Sequence, residues 1–83
     1  MSHSDTTTSE TVALPSLKRG IRARVVSLSG DKPTRNRLRE LGLRESVEVS
    51  VLHVNGSVLC QVNRSRFGLD RAIAENVLVE PRV

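Results

Sequence analysis

Residues 30–43, Gly-Asp-Lys-Pro-Thr-Arg-Asn-Arg-Leu-Arg-Glu-Leu-Gly-Leu, carry signals for both ends of a helix, and no other stretch of the chain does so convincingly. Asp31 can cap the start, because its carboxylate can accept from the free backbone N–H groups of the first turn. Pro33 has its φ preset for that turn and has no N–H to leave unbonded. Gly42 can go left-handed just past the last turn, and Leu38 and Leu43 then occupy the two positions that touch in a Schellman stop. Leu38, Leu41 and Leu43 are therefore expected to form one apolar lid, which the helix presents to strands on either side.

The other face of this helix is basic. Arg35, Arg37, Arg39 and Arg44 crowd about two turns, with Glu40 the one acid after Asp31. Arg35 and Arg39 lie at i, i+4, where like charges repel mildly. Such a face is either plainly solvated or a docking surface for something negative, and Arg35, Arg39 and Arg44 are the candidate contacts.

The chain has 83 residues, enough for one small domain. Its apolar residues are mostly Val, Leu, Ile and Ala, which favours strands, and Phe67 is the single aromatic. One cysteine, Cys60, excludes an intrachain disulfide and fits a reducing compartment. No apolar run approaches the roughly 18 residues of a membrane span, and no signal peptide is visible, so the chain reads as cytoplasmic with no membrane insertion. From residue 16 to residue 44, nine Lys and Arg stand against two acids, a local charge of +7 on a chain whose net charge is +4. That asymmetry points to an acidic protein surface, a phosphate-rich polymer or an anionic leaflet.

Residues 1–15 are rich in Ser and Thr and read as a disordered tail, with the folded domain spanning 16–83. Ile21, Ala23 and Val25 alternate with Arg22 and Arg24 as in a half-buried strand, and Val26 and Leu28 change parity, which predicts a bulge. After the helix, Val47, Val49 and Val51 mark a second strand. Asn55-Gly56 reads as a two-residue type I′ hairpin turn, and Val58, Cys60 and Val62 return in phase. That register places Val54 opposite Ser57, His53 opposite Val58, and Val51 opposite Cys60. A fourth strand at 64–69 sends Phe67 and Leu69 inward. Asp70 is expected to cap a helical turn over 71–76 with Ile73 in the core, and 77–80 forms a last strand that Pro81 stops. The residues thus describe a mainly β protein: a small closed or partly open barrel of about five strands, with one inserted α-helix and a short C-terminal helical turn.

His53 and Cys60 are the candidates for metal or nucleophile chemistry, and the expected register makes them diagonal neighbours on one face. They lack the third orienting group of a dyad and the four ligands of a structural zinc site, so Cys60 reads first as a core residue. No catalytic set or phosphate loop can be assembled, and an enzyme is not expected. Nucleic acid is the alternative partner for a basic barrel, but single strands are usually stacked on aromatic side chains, and Phe67 points inward. An unpaired barrel edge could support a homodimer.

Three segments resemble the FeoA family: Leu17-Lys18-x-Gly20 with Ala23-x-Val25-Val26-x-Leu28-x-Gly30-Asp31; Arg37-Leu38-x-Glu40-Leu41-Gly42-Leu43 followed by Val47-Glu48-Val49-x-Val51-Leu52; and Phe67-x-Leu69-Asp70-Arg71-x-x-Ala74-Glu75-x-Val77-x-Val79-Glu80. The resemblance implies an SH3-like barrel and a cytoplasmic accessory protein of bacterial ferrous-iron uptake. Its implied partner is FeoB, a membrane permease with a cytosolic GTP-binding domain. Such domains also end iron-dependent repressors of the DtxR type, which keeps a metal-responsive regulatory domain as an alternative. The resemblance carries over no catalytic residue and no cofactor; any transition-metal association comes with the pathway and not with a shared ligand set. Two departures stand out. The family usually has Pro-Gly after Leu-Gly-Leu, where this chain has Glu45-Ser46, and the family hairpin is often longer than Asn55-Gly56.

Overall fold

The computed structural model describes residues 10–82. Its strands are β1 (Val12–Ala13), β2 (Arg22–Leu28), β3 (Glu48–Val54), β4 (Ser57–Val62), β5 (Ser65–Asp70) and β6 (Val77–Arg82). They form one antiparallel sheet in the order β1-β6-β2-β3-β4-β5. A 3-10 turn (Leu14–Ser16) follows β1, helix α1 (Lys32–Glu40) follows β2, and a single-turn helix α2 (Arg71–Ala74) follows β5. The 3-10 turn packs on β6 and on α2, and α2 packs on β4 and β5. The two ends of the sheet are thereby bridged around one core, in which Leu14, Val25, Leu38, Leu43, Val51 and Val79 are among the fully buried side chains.

α1 forms where its end signals place it. The Thr34 N–H donates to the Asp31 carboxylate at 3.1 Å. Hydrogen bonding from Thr34 first of all, with a smaller pull from Arg35, holds the Asp31 carboxyl below its ordinary range. At the other end Gly42 sits at φ +100. The Gly42 N–H donates to the Arg39 carbonyl at 2.9 Å and the Leu43 N–H to the Leu38 carbonyl at 3.0 Å, which is the complete Schellman pair. Leu38 and Leu43 are buried and Leu41 is half-buried against the same core. The bulge in β2 also forms, as a register shift against β6 between Val25 and Ser27.

Three expectations are corrected. Residues 12–15 belong to the fold and not to a tail, since Val12 pairs with Val79 and Leu14 and Pro15 are buried; residues 1–9 lie outside the described residues. With β1 added, the expected sheet of about five strands has six. The β3–β4 hairpin carries a register shift between Val51 and His53, so His53 pairs with Leu59 and Val54 with Val58. Val51 is buried and Val54 packs against the core, and they are three residues apart. Strict alternation cannot send both inward; one extra residue, Leu52, lets it happen. Neither Asn55 nor Gly56 takes a positive φ, so no type I′ turn forms. Instead the Asn55 side chain accepts from the Ser57 N–H at 3.0 Å.

The remaining differences follow from local packing. Ala74, not Ile73, is the fully buried residue of α2, and Asp70 makes no side-chain cap bond there. β6 runs through Pro81, which pairs with Ala23. β1 reaches only Leu78 and Val79, so β6 is an edge by the time it reaches the proline.

Two positions test the backbone. Gly30 has φ +91, and a Cβ there would lie 2.9 Å from Asn76 Oδ1. Asn76 cannot readily move aside, because its carbonyl accepts from the Ser29 N–H at 2.8 Å and its Nδ2 donates to the Ile73 carbonyl at 3.2 Å. Gly20 has φ +89 but open space around it. Urea unfolding should show Gly30→Ala costing about 2 kcal/mol and Gly20→Ala about 1 kcal/mol; equal losses would mean that the Asn76 contact carries no energy. Ser46, in the turn where the family usually has Pro-Gly, sits at φ +76. Ser46→Gly should therefore raise stability by about 0.5–1 kcal/mol in the same assay, the reverse of the usual effect of a new glycine.

Candidate functional site

On α1, Leu38 faces the core, Arg35 and Arg39 share one flank a turn apart, and Arg37 falls on the other flank. Arg39 Nη2 lies 3.7 Å from Glu45 Oε2, and Arg44 Nε lies 3.5 Å from the Arg39 carbonyl. The structure thus joins Arg39 and Arg44 at the helix C-terminus, where cations meet the negative end of the helix dipole. Arg35 stands one turn earlier, half-buried beside Asp31. Glu40 forms no ion pair with Arg37 or Arg44 among the described residues.

The other arginines of the basic half are used differently. Arg24 Nη2 meets Glu80 Oε1 at 2.8 Å, its cross-strand partner on β6. Arg22 and Arg82 both approach Glu48, at 3.9 and 4.0 Å. Acids from β3 and β6 therefore offset the β2 arginines, and the uncompensated charge concentrates on and after α1. Exposed pairs of this kind contribute little to stability, but they decide where the field is strongest.

His53 and Cys60 are not brought together. The β3 bulge turns His53 to the exposed outer face beside Leu59, while Cys60 points into the core. Among the described residues, no three of His, Cys, Asp and Glu gather where they could hold a metal ion. Burial pushes the Cys60 thiol up to about 11. Phe67 is half-buried and packs on the core, so it is no stacking platform for bases.

A groove that sequence reasoning missed runs along the Arg37 flank of α1. One hollow, about 430 Å³, is lined by Pro33, Thr34, Asn36, Arg37, Glu40 and Ile73. The next, about 340 Å³, is lined by Arg37, Leu41, Gly68, Leu69, Asp70 and Ile73. Arg37 and Ile73 line both, so the two hollows adjoin between α1 and the β5–α2 corner. Leu41 and Ile73, expected in the apolar lid and in the core, are half-buried on the groove's walls, and nothing in the spacing of residues shows how far a helix stands from a strand edge. This groove and the arginine flank can hold another chain; no nucleophile or acid–base pair converges at either.

A curled six-stranded antiparallel sheet with a helix inserted after its second strand, and its polar chemistry all on the outside, is a small SH3-like domain. The FeoA domain model matches residues 12–81, and the chain belongs to that family. A search of curated proteins finds no match. Among solved structures, an iron uptake regulatory protein, FeoA, is 25% identical with a TM-score of 0.83, over 88% of this chain and 100% of that one. The FeoA of Stenotrophomonas maltophilia, solved in complex with zinc and described as a prokaryotic SH3 domain protein, is 30% identical with a TM-score of 0.74, over 83% of this chain and 89% of that one. A manganese-dependent transcriptional repressor shares the fold, with a TM-score of 0.83 at 16% identity over 92% of this chain and 44% of the repressor.

The placement of Cys60 has a direct consequence. With its thiol at about 11 against an ordinary 9.0, the thiolate at neutral pH is about a hundredfold scarcer than for a free cysteine. Ellman's reagent at pH 8 should label the folded protein only as fast as the core opens, and denaturant should make labelling immediate. Rapid labelling of the native protein would show that Cys60 is accessible.

Proposed function

We propose that this chain is a non-enzymatic cytoplasmic accessory protein of ferrous-iron uptake that docks on the cytosolic GTP-binding domain of an FeoB-type permease. The observation that carries the reading is the FeoA domain match over residues 12–81. The Stenotrophomonas maltophilia relative is described as a candidate ferrous-iron transport activating factor, which supports the same role here. No helix among the described residues is long and apolar enough to cross a membrane, so the reading has the chain come to the permease and not share its span. It works through binding alone, without a cofactor of its own.

Arg35, Arg39 and Arg44 form the contact in this reading. No sheet acid among the described residues pairs with them; Arg39 and Arg44 lie at the helix C-terminus and Arg35 one turn earlier on the same flank as Arg39, where a single acidic patch can reach all three. Such contacts act mainly on encounter rate and orientation, and they weaken with salt. The test is titration calorimetry of the purified chain against the permease's soluble domain. The double variant Arg35→Glu, Arg39→Glu should bind at least tenfold more weakly, about 1.4 kcal/mol, with its folded NMR spectrum retained. Affinity unchanged by the double reversal would remove this flank from the contact.

A further inference from the structure

The groove on the opposite flank of α1 borders a free sheet edge. β5 is the last strand of the sheet, and among the described residues it pairs with β4 alone. The two-residue turn at Asn63–Arg64 makes Val62 and Ser65 a hydrogen-bonded pair. Antiparallel alternation then directs the N–H and C=O of Arg66 and Gly68 away from β4. The Phe67 carbonyl, 3.7 Å from Cys60 Sγ, lies on the β4 side as this alternation requires. Gly68 lines the groove, and nothing stands within 4 Å of where its Cβ would be. The groove thus offers unpaired main-chain groups, open space above them, and an apolar floor of Leu41, Leu69 and Ile73.

We propose that this groove takes an extended acidic–apolar segment of a partner protein as a seventh strand on β5, between that strand and α1. Main-chain pairing with Gly68 and Arg66 supplies the affinity, as in other strand additions. An apolar side chain covers Leu41 and Ile73, and a carboxylate meets Arg37. A helix does not fit the same chemistry, because its backbone is already bonded and would leave the β5 groups unpaired. A second copy of this chain would bring a whole sheet behind its edge, and α1, which walls the same hollow as β5, stands in its way. Charge bears on the choice among extended segments: Arg37 in the groove lining and the exposed Arg64 and Arg66 stand against Glu40 and Asp70, while Arg66 is held on Gln61 and Arg71 turns away to the Asn55 carbonyl. This inference goes beyond the iron-transport reading. It concerns the other flank of the helix, so the permease titration and the experiment below fail independently.

The test pans the full chain against a phage-displayed library of random heptapeptides, then titrates a synthetic enriched peptide into the ¹⁵N-labelled protein. Enriched sequences should alternate apolar and acidic residues, and the largest amide shifts should fall on Gly68 and Arg66. Arg37→Glu should weaken binding at least tenfold. N-methylation of the peptide at alternate residues should abolish binding, a readout that needs no change to the protein. Enrichment of basic or helix-patterned peptides would overturn the proposal. So would undiminished binding of the N-methylated peptide, shifts centred on the β2 arginines, no enrichment at all, or β5-paired dimers seen by sedimentation.

Discussion

The Leu43 N–H reaches the Leu38 carbonyl at 3.0 Å while both leucine side chains are fully buried, and the left-handed Gly42 between them makes this possible. That one stop fixes three things together. It ends the helix, returns the chain toward β3, and presses the last turn of α1 onto the barrel, close enough for a Cβ at Gly42 to lie 3.6 Å from Val62. Without it the helix would be two turns of poor intrinsic stability, since nucleation is unfavourable and short helices depend on an apolar face packed elsewhere. With it, the rotation of the helix about its axis is set, and every arginine on it is assigned a side.

Charge follows from that rotation. The basic half of the chain, +7 from residue 16 to residue 44, suggests a uniformly positive surface when read linearly. Folding divides it. The β2 arginines find Glu48 and Glu80 on neighbouring strands, because in a sheet residues distant in the chain become lateral neighbours. Around α1, Glu45 in the turn that follows comes near Arg39, while Arg37 shares its groove with Glu40 and Asp70 without forming an ion pair among the described residues. Arg35, Arg37 and Arg44 thus carry no ion pair among the described residues, whereas the β2 arginines do.

Legibility in the sequence tracked how local each constraint is. The Asp31 cap, the Gly42 stop, the β2 bulge and the inward valines of β3 and β4 all depend on residues a few positions apart, and all are present. What escaped depends on distant partners. Val12 and Ala13 are two residues without a period, and only β6 makes them a strand. The β3 bulge exists because Val54 must reach a core that the hairpin alone does not define, and it separates His53 from Cys60. Ile73 outranks Ala74 in hydrophobicity, yet α2 has room for an alanine where it touches the sheet. Of the candidate site, Arg35, Arg39 and Arg44 were legible as a basic cluster, while the groove was not, because it is a gap between elements and no residue pattern encodes a gap.

The free edge of β5 clarifies why that gap exists. A free edge on a strand of six residues is an aggregation hazard, and proteins blunt such edges with charge, with bulges or with a covering element. Here two of the devices operate together. Arg64 and Arg66 place charge along the strand, and α1 stands over the edge at groove distance. A wide, flat partner is thereby kept from pairing with β5, while a single strand is not. The overhang that protects the edge also makes it selective, and it can do so only because the Leu38–Gly42–Leu43 stop holds α1 at that distance. One local backbone device thus sets both the stability of the barrel and the shape of the surface it offers.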